Sequence, residues 1–195
     1  MGASREERRC VGIGILARPA LGMAVAAFAI VILNPQSLRA QAPPLSINFQ
    51  PAGSPVPPGN HADSGLTYAA RGNGLVYGWN ASHATRTRFY PPPFPWMNLR
   101  YWTLIEMMPS STTTWEIAVA NGPYQITIGA GGPVSPGVRQ QIQAEGILVV
   151  DEMPTDYNSW VGGTQTVTVS DGRLTVTNAP GATKNFITFI DIVPQ

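Results

Sequence analysis

From Leu45 onward apolar and polar residues alternate with a period of two. Leu45, Ile47 and Phe49 interleave with Ser46, Asn48 and Gln50, which places the apolar set on one face of a strand. Trp115, Ile117 and Val119 repeat the pattern, Asn121-Gly122 follows, and Ile126 and Ile128 resume it beyond Tyr124. Asn-Gly between alternating runs predicts a hairpin, with Pro123 at an unpaired or bulged position. Thr164–Ser170, Asp171-Gly172 and Arg173–Asn178 predict a second hairpin, with Val167 and Val169 on one arm and Leu174 and Val176 on the other. Arg100–Met108 and Ile147–Val150 are apolar on both faces and read as central strands. Phe186–Val193 reads as the last strand, and Ile142 beside alternating glutamines makes Val138–Ala144 a strand rather than a helix. About nine or ten strands, with turn signals every 8–12 residues or so, predict an all-β chain folded as a β-sandwich or jelly roll.

The first forty residues follow a different pattern. Arg5, Arg8, Arg9 and Arg18 precede the uncharged run Leu21–Leu33, LGMAVAAFAIVIL. As a helix this run would rise only ~20 Å, short of the ~30 Å hydrocarbon core. A basic start, a short apolar stretch and small residues around Ala40-Gln41-Ala42 predict a secretory signal peptide over residues 1–40, cleaved after Ala40. The alternative is a retained anchor over Val11–Leu33. With the signal removed, residues 41–195 form a single exported domain, secreted or extracytoplasmic, with no membrane span.

Composition narrows the function. Removing residues 1–40 leaves seven of the twelve basic residues, nine of the eleven acidic ones and no cysteine, a net charge near −2. Disulfides and thiol chemistry are thereby excluded from the exported domain. No basic cluster marks a nucleic-acid surface. Gly-x-Ser-x-Gly and phosphate-loop motifs are absent, and the carboxylates form no visible active-site pair, so no catalytic residue is expected. Glu106 alternates with apolar neighbours, which points to partial burial or pairing with an arginine. Asn80-Ala81-Ser82 is a glycosylation sequon, meaningful in a host that glycosylates exported proteins.

The order of these pieces resembles a known family. LSINFQPAGSPVPPGN and YAARGNGLVYGWN are followed by WEIAVANGPYQITIGAG, AEGILVVD, TQTVTVSDGRLTVTN and FITFIDI. This is similar to the malectin-like, galactose-binding-like β-sandwich modules of secreted polysaccharide-processing proteins, and the likeness covers residues 45–193. The sequence departs at Gln50, where the family often has glycine, and in the loop Phe89–Trp96. The resemblance implies non-catalytic carbohydrate binding, with an oligo- or polysaccharide as partner, or a passive accessory domain. It also implies the option of a structural calcium near the first and last strands, with Asp191 and the carbonyls around Gln50 as the available parts; otherwise no cofactor or metal is expected.

A sugar site needs aromatic faces for the pyranose C–H patches and planar polar groups for its hydroxyls. Two stretches supply both. The first holds Tyr68, Arg71, Asn73, Tyr77, Trp79 and Asn80 among glycines; its alternative reading is core and turn packing. The second holds Asp156, Tyr157, Asn158 and Trp160; its alternative is a loop stapled to the sandwich by Trp160, with Asp156 and Asn158 capping turns. The stiff run Phe89–Trp96, FYPPPFPW, reads as cover for a sheet edge or as a platform for a protein partner.

Overall fold

The structure, a computed structural model, describes residues 42–91, 98–108, 113–133 and 135–195. The expected signal peptide and Pro92–Trp96 of the proline-aromatic run lie outside the described residues. Among the described residues thirteen strands follow one another: β1 (Leu45–Phe49), β2 (His61–Asp63), β3 (Ala69–Ala70), β4 (Val76–Trp79), β5 (Thr87–Phe89), β6 (Thr103–Met107) and β7 (Thr114–Ala118), then β8 (Gly122–Gly131), β9 (Gln140–Ala144), β10 (Ile147–Glu152), β11 (Trp160–Val169), β12 (Arg173–Asn178) and β13 (Asn185–Pro194). One sheet has the order β11-β8-β13-β1-β2, with β6 and then β5 beside the first half of β13. The other runs β10-β9-β12-β7-β4-β3. The chain is an all-β sandwich, and the strands beyond the expected ten are pieces such as β2, β3 and β5, too short to show a period.

Between the sheets lie the inward positions of the alternating segments, among them Ile47, Ile117, Ile126, Leu174, Val176 and Ile190. The faces predicted for β1, β7, β8, β11 and β12 are the faces observed. Their pairing is not. The Asn121-Gly122 and Asp171-Gly172 turns do not close hairpins; each carries the chain from one sheet to the other. β8 pairs with β11 over ten residues, from Gly122 opposite Val169 to Gly131 opposite Trp160, while β7 pairs with β12 in the other sheet. The two arches are clipped together by one side chain: Asn121 Nδ2 donates to the Ser170 carbonyl at 2.8 Å, and the Gly172 N–H donates to Asn121 Oδ1 at 2.7 Å. Alternation fixes which way a side chain points and says nothing about which strand lies beside it.

Two further expectations change. Ile147–Val150 is no central strand: β10 forms an edge, with Ile147 and Leu148 exposed, and a register shift between Leu148 and Val150 lets both Val149 and Val150 turn inward. In Arg100–Met108 only Thr103–Met107 is extended. Leu99–Tyr101 is a single 3-10 turn, capped where Asn98 Oδ1 accepts the Arg100 N–H at 3.0 Å.

A buried carboxylate holds the sheets together at the β2 end. Asp63, 1% exposed, accepts the Trp79 Nε1–H at 3.0 Å through Oδ1 and the Trp115 Nε1–H at 2.8 Å through Oδ2. The Gly65 N–H donates to Oδ1 as well, at 2.7 Å. Phe49 packs edge-on against both indoles, and His83 stacks on Trp79 with ring centres 4.3 Å apart. Burial pushes the Asp63 carboxyl up, against the three donors and the Arg71 charge that favour its ionised form. Burial likewise pushes the His83 imidazole down, assisted by Arg86 and opposed by the Ala81 carbonyl and Asp63.

Removing the carboxylate orphans two buried indole N–H groups, so Asp63→Ala should cost on the order of 3–5 kcal/mol in a denaturant titration. Asp63→Asn, which keeps one acceptor, should cost less. His83 binds its proton less readily folded than unfolded. Its contribution is therefore complete above the usual imidazole value of 6.5 and is lost as pH falls through the lower folded value. Melting temperatures from pH 8 to pH 5 should fall more steeply for the natural protein than for His83→Phe, which keeps the stack and cannot titrate.

Candidate functional site

The structure takes the first aromatic-polar stretch into the scaffold. Trp79 is fully buried, its N–H spent on Asp63, and Tyr77 is 2% exposed with its hydroxyl donated to the Ala62 carbonyl at 2.7 Å. Neither ring has a face left for a sugar. Arg71 donates to the Leu66 and Thr67 carbonyls and lies over the Tyr77 ring, and the Arg173 guanidinium covers Tyr68 at 4.8 Å. Asn73 closes its own turn by accepting the Leu75 N–H, and Asn80 Oδ1 accepts the Thr114 N–H. These residues were grouped by their glycines; Gly78, with φ +139° and a Cβ position only 2.2 Å from the Arg71 guanidinium, serves that packed corner.

The second stretch borders an open cleft. On β11 the inward valines are Val167 and Val169, so Trp160, Gly162, Thr164 and Thr166 point outward. On β8 the inward Ile126 and Ile128 leave Thr127 and Gly129 outward, and on β13 Ile190 and Ile192 leave Phe189 and Asp191 outward. Gly162 sits opposite Gly129, and Thr164 opposite Thr127, where the two hydroxyls meet at 2.9 Å. The glycines lower the sheet face into a floor. The result is a cleft of about 400 Å³ lined by Tyr101, Trp160, Phe189, Thr127, Thr164 and Asn158 over that floor.

Its walls are held in place. Tyr101 meets Trp160 edge-to-face at 6.0 Å and Phe189 at 5.3 Å. Phe189 lies so close on Gly129 that a Cβ there would stand 2.3 Å from its ring, and the Arg100 guanidinium caps its other face at 3.6 Å. Arg100 is itself fixed by both oxygens of Asp191, which also accepts from Ser46 Oγ at 2.6 Å. Asp191, considered for calcium, thus carries an arginine on both oxygens. Beside the cleft, Thr155 and Asn158 close a turn that leaves Asp156 and Tyr157 exposed in the solvent.

Glu106 and Asp151 have structural partners. Glu106, with a side chain only 17% exposed, pairs with Arg86 at 3.5 Å and Lys184 at 3.3 Å. Asp151 pairs with Arg139 at 2.6 Å, which holds its carboxyl below the usual range. Among the described residues no three His, Cys, Asp or Glu side chains converge to hold a metal ion. A second hollow, about 190 Å³ between the sheets beside Ala42, Leu45, Leu75, Ala118 and Tyr124, is apolar, and the Tyr124 hydroxyl is already donated to Ala120. The cleft is the place where aromatic faces and hydroxyls meet.

Sequence reasoning found Trp160 and Asn158 and missed Tyr101, Phe189, Thr127 and Thr164. These come from four separate segments that only the strand order brings together. One linear signal existed: Gly129, Gly131, Gly162 and Gly163 interrupt otherwise alternating runs, and glycine inside a strand marks a close approach. All four lie at the glycine-bearing ends of β8 and β11 that flank the cleft.

No protein-family model matches this chain, and no characterised protein matches it in sequence. Solved structures do match its fold. The YXIM protein of Bacillus subtilis aligns over 78% of this chain at TM-score 0.54 and 19% identity. A chain of the complex of the plant peptide RALF23 with FER and LLG2 aligns over 80% at 0.52 and 12%. A β-glucuronidase of Bacteroides uniformis aligns over 79% at 0.52 and 12%. This chain spans 40%, 40% and 18% of those proteins, so it corresponds to part of each. These matches show a shared β-sandwich fold and nothing finer.

Gly163 is a sensitive point beneath the cleft. Its Cβ position lies 1.8 Å from the Val149 carbonyl, backbone against backbone between β11 and β10. Gly163→Ala should therefore destabilise the protein by about 3 kcal/mol or more in chemical denaturation.

Proposed function

We propose that residues 41–195 are an exported, non-catalytic carbohydrate-binding domain that takes a neutral oligo- or polysaccharide in the cleft on the outer face of the β11-β8-β13 sheet. The observation that carries this reading is the cleft's lining. Tyr101 and Trp160 present ring faces and edges, backed by the buried Phe189, beside the hydroxyls of Thr127 and Thr164, the amide of Asn158 and the backbone of Gly162. Rings cover the C–H face of a pyranose, hydroxyls and amide meet its hydroxyls, and glycines let the sugar approach the sheet. Among the described residues no charged side chain lines the cleft. Exposed Tyr157 and Asp156 stand beside the cleft, where a longer glycan would reach them. The fold shared with a part of a β-glucuronidase agrees with a glycan-handling setting. Exposed Tyr157, Met153 and Phe89 favour a second reading, an adhesive exported domain for a cell-envelope or protein partner without sugar binding.

Titration of the exported protein with soluble glycans, followed by tryptophan emission, separates the two. Trp79 and Trp115 are sealed in the core, so a bound sugar should report through Trp160. A saturable change is expected, with affinity reduced about tenfold or more in Trp160→Ala and in Tyr101→Ala and unchanged in Tyr68→Ala. A flat response across the panel, or binding indifferent to Trp160, would move the assignment to the adhesive reading.

A further inference from the structure

The sheet edges of this domain are guarded unequally. An exposed edge offers unpaired backbone groups to any other strand, and proteins blunt such edges with short strands, charges, prolines or bulges. Here β2 has three residues, β3 two and β5 three. β10 has six, but it carries a register shift and ends in Asp151-Glu152. The Thr164–Thr168 half of β11 has none of these defences. The whole strand runs for ten residues in unbroken register with β8, ends the sheet order on its other side, and contains neither charge nor proline. Its Gly162-Gly163 half is close to β10, where Gly163 meets the Val149 carbonyl. Its Thr164–Thr168 half is exposed except at Val167.

We infer that this edge pairs with the same edge of a second copy of the chain, joining two sheets into one through antiparallel β11 strands. The sequence matches itself in that arrangement. With Thr166 on the two-fold axis it faces its own copy, Thr164 faces Thr168, and Gln165 faces Val167. Threonine pairs across antiparallel strands are favourable, and no like charges are brought opposite one another. The outer face already uses this contact once, between Thr127 and Thr164 on β8 and β11. Pairing extends the threonine ladder across the axis and sets the two clefts on one continuous face. The partner is a second copy because an uncharged, self-matching edge selects its own sequence, and the two-fold arrangement closes instead of growing. This inference does not depend on sugar binding.

Sedimentation velocity of the protein collected after export, from cells expressing the full chain, tests it. A monomer–dimer equilibrium is expected. Thr166→Lys places two ammonium groups opposite each other on the axis and should weaken the dimer at least about tenfold. Gln165→Lys should weaken it as well, and Thr85→Lys, at an exposed site away from the edge, should not. Both edge positions are exposed, so melting temperatures should stay within a few degrees, which separates lost pairing from lost folding. Amide exchange at Thr164–Thr168 should slow with protein concentration in the natural chain alone. A monomer up to the solubility limit, a dimer indifferent to Thr166→Lys, or assembly beyond a dimer would overturn the inference.

Discussion

Asp63 decides where in this sandwich chemistry can and cannot occur. Its carboxylate lies on β2, a three-residue strand that the β1 ladder alone would hold poorly, and it draws indole N–H groups from β4 and β7 of the opposite sheet. Taking a carboxylate out of water is costly, and three donors aimed at its two oxygens offset much of that cost. The arrangement is therefore demanding, since every member must be present and in place. That demand absorbs the tryptophans, the neighbouring Tyr77 and His83, and through Tyr77 the Arg71 side chain. A stretch whose composition suits sugar binding thus becomes the corner post of the fold.

The sequence discloses this fold unevenly, for a physical reason. Side-chain direction is written in the period of two, so the inward sets of β1, β7, β8, β11 and β12 are readable directly. Strand neighbourhood is written nowhere locally. Asn121-Gly122 and Asp171-Gly172 supply tight reversals, and a tight reversal serves an arch between sheets as well as a hairpin within one. Here the choice is made between turns: the Asn121 amide reaches the Ser170 carbonyl and the Gly172 N–H, which locks two arches side by side. That bond spans about fifty positions in sequence. The site suffers the same loss, since Tyr101, Thr127, Trp160 and Phe189 each come from a different segment and meet only once the strand order is known.

Glycine explains both the cleft and the neighbouring edge. Within strands it gives up entropy and packing, about 1 kcal/mol relative to alanine at each position. At Gly129 that loss yields a lowered outer face on which Phe189 lies, and at Gly162 a close approach to the Ile128 carbonyl. At Gly163 it yields contact between β11 and the Val149 carbonyl, drawing the edges of the two sheets together. One run of small residues thus shapes the outer surface and closes the side of the sandwich. Beyond it β11 returns to threonine and valine, residues well suited to a half-buried strand.

The charges of the domain are largely satisfied within it. All seven basic side chains of residues 41–195 are engaged within the domain. Arg86 and Lys184 share Glu106, Arg100 holds Asp191, Arg139 holds Asp151, and Arg173 holds Glu116. Arg71 and Arg88 are turned onto backbone carbonyls. A polyanion such as a sulfated or phosphorylated polymer is captured by cations that can exchange small counterions for it. Here five of the seven cations are paired with a carboxylate, so little uncompensated positive charge is left to draw a polyanion to this surface. The cleft on the β11-β8-β13 face likewise offers rings, hydroxyls and an amide rather than charge.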